Sequence, residues 1–193
     1  PLPADILERF RALLARVDQL HLSEPAAMTL ATAGGDGRVS ARFVLLRHWD
    51  ERGFVFFTNY TSVKAMQLAA NPRAALCFYW FWLDEQVRAE GTVLRTTPEE
   101  SDAYFQSRPR GSQIGAWASA QSAPLASREQ LEARYRECEQ QFGDGPIPRP
   151  EFWGGFRLVA DRVEFWKAGE FRLHDRRAFV RTPAGWTAGR LYP

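Results

Sequence analysis

Cysteine and lysine are both scarce in this chain. Cys77 and Cys138 are the only cysteines among 193 residues, which excludes a disulfide framework and paired thiolate metal ligands. Both fall among apolar residues and read as small buried hydrophobes. Lys64 and Lys167 are the only lysines among 25 basic residues. Positive charge is therefore carried by arginine, whose forked guanidinium suits phosphate and carboxylate, although arginine this frequent has no role by type alone. The formal net charge is only +2, too small to require a nucleic-acid or membrane partner. No run is long and apolar enough to cross a bilayer, and the opening PLPADILERF lacks the pattern of a secretory leader. The expectation is a soluble cytoplasmic protein. Hydrophobic residues reach 45%, which argues against extended disorder. No internal repeat or linker divides the chain, so residues 1–193 read as one domain with a real core.

Ile6, Phe10, Leu13, Leu14 and Val17 fall at helical spacing and predict an opening amphipathic helix. Ala27 to Ala33, Val39 to Leu46 and Phe54 to Thr58 read as strands separated by Gly34-Gly35-Asp36-Gly37 and by a turn over Asp50 to Gly53. Ser62 can cap a short helix that ends before Asn71-Pro72. Ala74 to Trp82 and Gln86 to Leu94 form a plausible strand pair. Thr97-Pro98-Glu99-Glu100 and Ser127-Arg128-Glu129-Gln130 are capping boxes. The second opens a helix with Leu131, Tyr135, Cys138 and Phe142 on one face. After a Gly- and Pro-rich loop, four short strands are expected: Gly155 to Val159, Arg162 to Trp166, Ala178 to Arg181 and Trp186 to Leu191. Many short strands with a few helices imply a mainly β fold, an antiparallel barrel with helical decoration.

Four segments ask for a chemical explanation. In Ala41 to Arg47, Arg42 and Arg47 stand an odd number of positions apart, so a strand directs them to different surroundings; two rim arginines are the plain alternative. In Phe57 to Lys64 a strand passes into a helix capped at Ser62, where Thr58, Ser62 and Lys64 offer donors to an anion, or merely make an ordinary cap. The segment lacks the glycine spacing of a P-loop. In Tyr104 to Trp117, Tyr104 and Arg108 share a helix face and with Ser112 could ring a phosphate dianion; a solvated loop is the alternative. In Glu164 to Arg176, the spacing of Arg172, His174 and Arg176 places all three on one side of a strand, facing either an anion, an electron-rich ring or solvent. His21 and His48 have no such setting.

These segments closely resemble the pyridoxine/pyridoxamine 5'-phosphate oxidase family. The matching runs are RFVLLRH, FFTNYTSVK, EQVRAEG, YFQSRPRGSQIGAWASAQS, FWGGF, EFWKAGEFRLHDR and RLYP, in that order over nearly the whole chain after the first helix. SRPRGSQIGAWAS together with FRLHDR is the specific pair. The resemblance implies an FMN-binding split β-barrel and a homodimer with FMN at the interface, some contacts coming from the partner subunit. It implies oxidation of pyridoxine or pyridoxamine 5'-phosphate to pyridoxal 5'-phosphate, with O2 as acceptor, giving H2O2 and, from the amine, ammonia. Carried over by motif, the FMN set is Arg42, Phe43, Val44, Leu45, Phe57, Thr58, Ser62, Lys64, Gln86, Gln121, Ser122, Trp166 and Arg176. The substrate set is Arg47, Tyr104, Arg108 and Ser112 around the phosphate, with Arg172 and His174 against the pyridine ring as the catalytic pair. No metal is implied.

Four positions depart from the family pattern. Val63 and Glu85 stand where arginine is usual, Arg47 replaces lysine, and Phe57 replaces a frequent tyrosine. Other readings of the same residues are a sister flavoenzyme acting on another ring, as in phenazine biosynthesis, and a non-catalytic carrier or sensor of flavin or pyridoxal phosphate. The phosphate-binding segment argues against the first, and Arg172 with His174 argues against the second. A nucleic-acid binder is disfavoured by the modest charge and the absence of a recognisable binding module.

Overall fold

A computed structural model describes residues 1–22 and 24–193. The chain opens with helix α1 (Ala4–Asp18), whose Ile6, Phe10, Leu13 and Val17 are buried. Strands β1 (Ala27–Ala33) and β2 (Val39–Leu45) form the expected hairpin. A short strand β3 (His48–Asp50), not expected from the sequence, pairs with β4 (Gly53–Asn59). Helix α2 (Val63–Ala70) is capped by Ser62, whose hydroxyl accepts the Ala65 N–H. Strands β5 (Arg73–Trp80) and β6 (Glu85–Arg95) pair antiparallel through a 3-10 turn at Phe81–Leu83.

Helix α3 (Pro98–Ser107) starts at the Thr97 capping box, with both reciprocal bonds formed. Helix α5 (Arg128–Phe142) is capped by the Ser127 hydroxyl, but the return bond of its box differs: the Gln130 side chain takes the N–H of Ala126 instead of that of Ser127. Between them lies α4 (Arg110–Ala118), where the sequence suggested irregular chain. Its Gly111, Ser112 and Gly115 are weak helix formers. Tertiary contacts override them: Ile114 is buried, and buried Gln113 donates to the Phe105 carbonyl.

The two strands expected at 155–159 and 162–166 are one, β7 (Trp153–Lys167), with a bulge opposite Glu90/Gly91. β8 (Asp175–Thr182) and β9 (Gly185–Arg190) complete the antiparallel sheet. Its order is β2-β1-β5-β6-β7-β4-β3, with β8 on β7 and β9 on β8. The long strand β7 is shared: β6 pairs with it from Phe156 to Lys167, β4 with its first half and β8 with its second. The sheet curls as a split barrel, and α1 packs its buried face on the barrel core, with Phe10 edge-on against Trp49, Phe54 and Phe78.

β2 and β3 are consecutive in sequence yet end the path on opposite edges. The link Leu46–Arg47 therefore bridges the split, with Leu46 N–H bonded to the Ala26 carbonyl and Arg47 N–H to that of Val55. A second apolar cluster, Phe105, Ile114, Ala116, Ile147 and Trp153, seats α3, α4 and α5 outside the barrel. No helix among the described residues is long and apolar enough to cross a membrane.

Candidate active site

The bridge across the split fixes where the site forms. An open cleft of about 720 Å³ is lined by Arg42, Phe43, Val44, Leu45 and Arg47 from β2 and the bridge, Phe57 and Thr58 from β4, and Lys64 from α2. Tyr104, Ser107, Arg108, Pro109, Ser112, Gln121 and Trp153 close it from the other side. The odd spacing of Arg42 and Arg47 predicted different surroundings, but both line this cleft. β2 stops at Leu45, so alternation does not run through to Arg47. They do occupy different ends: Arg42 acts electrostatically on Lys64, and Arg47 on Arg108.

At the first end, buried Lys64 donates to Thr58 Oγ1 at 3.2 Å and to Gln121 Oε1 at 2.9 Å, while Thr58 donates to the same Gln121 oxygen at 2.7 Å. Burial, with the charge of Arg42 adding to it, pushes the Lys64 ammonium down to about 8. Arg42 donates to Thr32 Oγ1 at 2.6 Å and to the Leu30 carbonyl at 3.2 Å. Phe43 points out of the barrel and is exposed.

At the second end three rings stack. Phe57 lies 4.0 Å from Tyr104 and 5.5 Å from Trp153, centre to centre, in nearly parallel planes. The stack requires glycine at 155, because a Cβ there would stand 2.8 Å from the Phe57 ring and 2.4 Å from Thr96 Oγ1. Arg108 covers the Trp153 ring at 4.7 Å. Its Nη1 is buried and has no hydrogen-bond partner. Burial lowers the Arg108 guanidinium from its ordinary value, and the charge of Arg47 adds to this.

Among the described residues, no carboxylate forms an ion pair with Arg42, Arg47, Lys64 or Arg108. Four cations that share a cleft without a counter-charge raise one another's cost of desolvation. An anion is the chemical complement of that set.

Trp153 was missed as a site residue, although it lies in the quoted run FWGGF. Its role depends on strand pairing with β4, through Asn59, which local sequence does not show. Ser62 is placed behind the cleft: it is fully buried as the α2 cap and does not line the cavity. Ser122 is exposed, at a positive φ of 74°, and also lies outside the lining.

The remaining candidates lie elsewhere. Gln86 and Trp166 face each other in the β6–β7 register and line a separate cavity with α1. Arg172 and His174 do not continue a strand with Arg176. Arg172 ends a 3-10 turn at Glu170–Arg172, in which Phe171 and Arg172 both have positive φ (54° and 64°), and His174 follows just beyond it. Two consecutive left-handed residues break the alternation, so the shared face predicted for all three side chains does not exist.

The turn instead folds His174 back. The Gly169 N–H donates to His174 Nδ1 at 3.2 Å, and the ring lies 4.7 Å from Trp166. A neutral imidazole accepting at Nδ1 carries its proton on Nε2. Phe171 is 90% exposed, and Arg172 beside it is exposed as well. Arg176 lies on β8 opposite Trp166 and bonds to Glu164. Most candidates thus form two groups in one protomer, the cationic cleft and a group around Trp166 and His174, and none of Gln86, Trp166, Arg172, His174 and Arg176 lines the cleft.

The departures from the family pattern have visible settings. Glu85 pairs with Arg16 at 2.8 Å and Lys167 at 3.6 Å. Phe57 supplies the central ring of the stack. Val63 is exposed in the first turn of α2.

Comparison with known proteins places this arrangement. Residues 13–142 match the family described as pyridoxamine 5'-phosphate oxidase, and residues 153–193 match the pyridoxine 5'-phosphate oxidase C-terminal dimerisation region. The chain is 57% identical over 192 residues to a pyridoxine/pyridoxamine 5'-phosphate oxidase of Myxococcus xanthus (strain DK1622), covering 100% of this chain and 93% of the relative. It is 59% identical over 189 residues to the protein of that name from Rubrobacter xylanophilus, covering 98% and 87%. Among solved structures, PhzG from Burkholderia lata 383 in complex with tetrahydrophenazine-1-carboxylic acid superposes with a TM-score of 0.93 at 32% identity, covering 99% of this chain and 94% of that one. A pyridoxamine 5'-phosphate oxidase-related, FMN binding protein from Nostoc punctiforme PCC 73102 shares the fold, with a TM-score of 0.74 at 18% identity over 95% and 97% of the two chains.

Proposed function

The chain belongs to the pyridoxamine 5'-phosphate oxidase family of FMN-dependent oxidoreductases, and from that premise we propose that it oxidises pyridoxine or pyridoxamine 5'-phosphate to pyridoxal 5'-phosphate. The observation that carries this reading is the uncompensated cationic cleft, above all the buried, unbonded Nη1 of Arg108. A phosphate oxygen is the acceptor that nitrogen lacks.

FMN fits the donor set at the Lys64 end. Arg42, Thr58, Lys64 and Gln121 would hold its phosphate, with the Phe43–Leu45 backbone beside it. When bound, FMN supplies the hydride acceptor, and the protein's part is to bind, orient and exclude water. Arg47 and Arg108 hold the substrate phosphate by charge-assisted hydrogen bonds, and Tyr104 and Ser112 add hydroxyl donors. Anchoring the phosphate fixes C4', the carbon to be oxidised, which is the proximity contribution to rate. His174, with its proton on Nε2, and Arg172 orient the pyridine ring and stabilise charge as C4' loses hydride. O2 is the final acceptor and gives H2O2; the amine substrate also needs water to release ammonia.

One chain does not assemble this set, because Arg172, His174 and Trp166 stand apart from the cleft. The match to a dimerisation region over 153–193 covers those residues. We therefore place FMN and substrate at a homodimer interface, where the turn of one protomer covers the cleft of its partner. The bare surface of Phe171 and Arg172 supports this.

The similarity to PhzG favours a second reading, a flavoenzyme acting on another ring. The cations Arg47 and Arg108, with the Tyr104 and Ser112 hydroxyls in the same cleft, favour the phosphorylated substrate. The test is the absorption spectrum of purified, FMN-loaded protein without air. Pyridoxine 5'-phosphate should bleach the flavin band, and unphosphorylated pyridoxine should do so only at far higher concentration. Equal bleaching by both would reject the phosphate site; no bleaching by either would reject the reaction.

A further inference from the structure

Glu164 is the least expected charge in the fold. It lies in β7, its side chain is 2% exposed, and three arginines surround it. Arg176 Nε donates to Oε1 at 2.8 Å, while Arg88 Nη2 and Arg162 Nη2 reach Oε2 at 2.9 and 3.4 Å. A buried carboxylate is costly unless it is paired and hydrogen-bonded. Burial works against its charge here, but the Arg176 hydrogen bond and the charge of Arg88 outweigh it and hold the carboxyl below the usual range. The cluster has donors to spare, since Arg88 Nε is buried with no acceptor.

Arg176 is fixed from two directions. Its Nε goes to Glu164, and its Nη1 donates to the Tyr192 carbonyl at 2.9 Å. The Leu191 N–H returns to the Arg176 carbonyl at 3.1 Å. A guanidinium has five N–H donors in a rigid fork. With Nε and one Nη1 hydrogen engaged inside the chain, three donors remain, and Nη2 keeps both of its own for a ligand.

We propose that Glu164 is a positioning residue for the cofactor site: it locks the Arg176 guanidinium, with the Tyr192 carbonyl as second anchor, so that Nη2 is presented to FMN. This rests on the assignment of Arg176 to the FMN set. Glu164 touches neither cofactor nor substrate and acts through Arg176.

The test is FMN titration of the apoprotein, followed by flavin fluorescence quenching, on Glu164→Gln, Arg176→Gln and the double variant. Gln keeps the shape and one acceptor but removes the charge that orders Arg176. Glu164→Gln should weaken FMN by roughly tenfold, and the double variant should bind no more weakly than Arg176→Gln alone, because coupled residues do not add. Multiplying effects, or parental affinity in Glu164→Gln beside a weakened Arg176→Gln, would overturn the proposal. An unchanged Arg176→Gln would instead remove Arg176 from the cofactor site, and the proposal with it. Should Glu164→Gln fail to fold, Glu164→Asp takes its place, keeping the charge but withdrawing it by one methylene. It should show a smaller weakening that also vanishes in the Arg176→Gln background, and additive losses would again count against the idea.

Discussion

Arg108 lies over the ring of Trp153, 4.7 Å from its centre, and keeps one nitrogen buried without an acceptor. The indole face offsets part of the cost of holding a desolvated cation, and the residue lines the cleft with one hydrogen-bond donor still unused. Arg108→Ala should raise KM for the phosphorylated substrate by roughly tenfold to a hundredfold, the worth of a charged hydrogen bond. FMN content should stay unchanged. Steady-state kinetics beside a flavin spectrum checks both, and a loss of flavin would place Arg108 at the wrong ligand.

His174 should show the opposite division. Its ring touches Trp166 and the Gly169 N–H and carries no contact to the cationic cleft. His174→Ala is expected to lower kcat by roughly ten- to a hundredfold, with little change in bound flavin. Unchanged turnover would remove it from the site.

Val63 tests the missing arginine. It is 42% exposed in the first turn of α2, where a longer side chain has room. One added charge-assisted hydrogen bond to the FMN phosphate is worth roughly 1.5–3 kcal/mol, so Val63→Arg should tighten FMN by about tenfold to a hundredfold. Equal affinities in a titration would reject that account of the departure.

Lys64 predicts a pH dependence. Its folded value is lowered to about 8 from an ordinary 10.5, so in the apoprotein the burial cost is fully present below pH 8. It is relieved as pH rises toward 10.5, and apoprotein stability gains over that window. Phosphate binding needs the protonated amine. FMN affinity should therefore fall above pH 8, by up to roughly tenfold per unit, and the melting-temperature gap between holo- and apoprotein should narrow. Lys64→Met should flatten the profile; a slope that persists in this variant would locate the titration elsewhere.

Arg157 fastens the helix that carries Tyr104. Buried in β7, it donates to Asp50 at 2.7 Å and to Glu100 at 2.8 Å, tying α3 to β3. Removing one partner of a buried pair leaves charge uncompensated. With both carboxylates part-exposed, Arg157→Met should cost about 2–3 kcal/mol, below the fully buried range. Asp50 and Glu100 are both held below their ordinary values, since their bonds to Arg52, the Thr97 N–H and Arg157 outweigh burial. Depressed carboxylates stabilise the fold above their unfolded values near 4 and lose that contribution as pH falls. Thermal melts of the parent should therefore drop below about pH 4, and less steeply in Arg157→Met. Parallel melting curves would show that the network carries no pH-dependent stability.

What the sequence disclosed divides by range. Caps at Ser62 and Thr97 were legible because their bonds close within three residues. Short runs bounded by turn residues disclosed β1, and the apolar, aromatic run of β5 with its neighbour β6. Helix α4 was not legible, because distant contacts such as Gln113 to the Phe105 carbonyl decide it. Nor was the turn at Phe171 and Arg172, since neither side chain advertises a left-handed backbone. At the site, Tyr104, Arg108 and Ser112 came from the motif runs and now share one cleft. Trp153 was hidden, because its place in the stack depends on the pairing of β7 with β4.

β7 begins at Trp153 and ends one residue beyond Trp166. The first tryptophan floors the cationic cleft; the second backs His174. At ~3.3 Å per residue, the strand between them measures roughly 40 Å, far longer than a vitamin phosphate and its coenzyme laid side by side. Even bulged and curled, that strand is held extended by its ladders to β4, β6 and β8, which keep its two ends apart. A solitary protomer would carry every working part and never bring them to bear on the same molecule, so diluting the protein until pairs separate should silence it while leaving each chain folded.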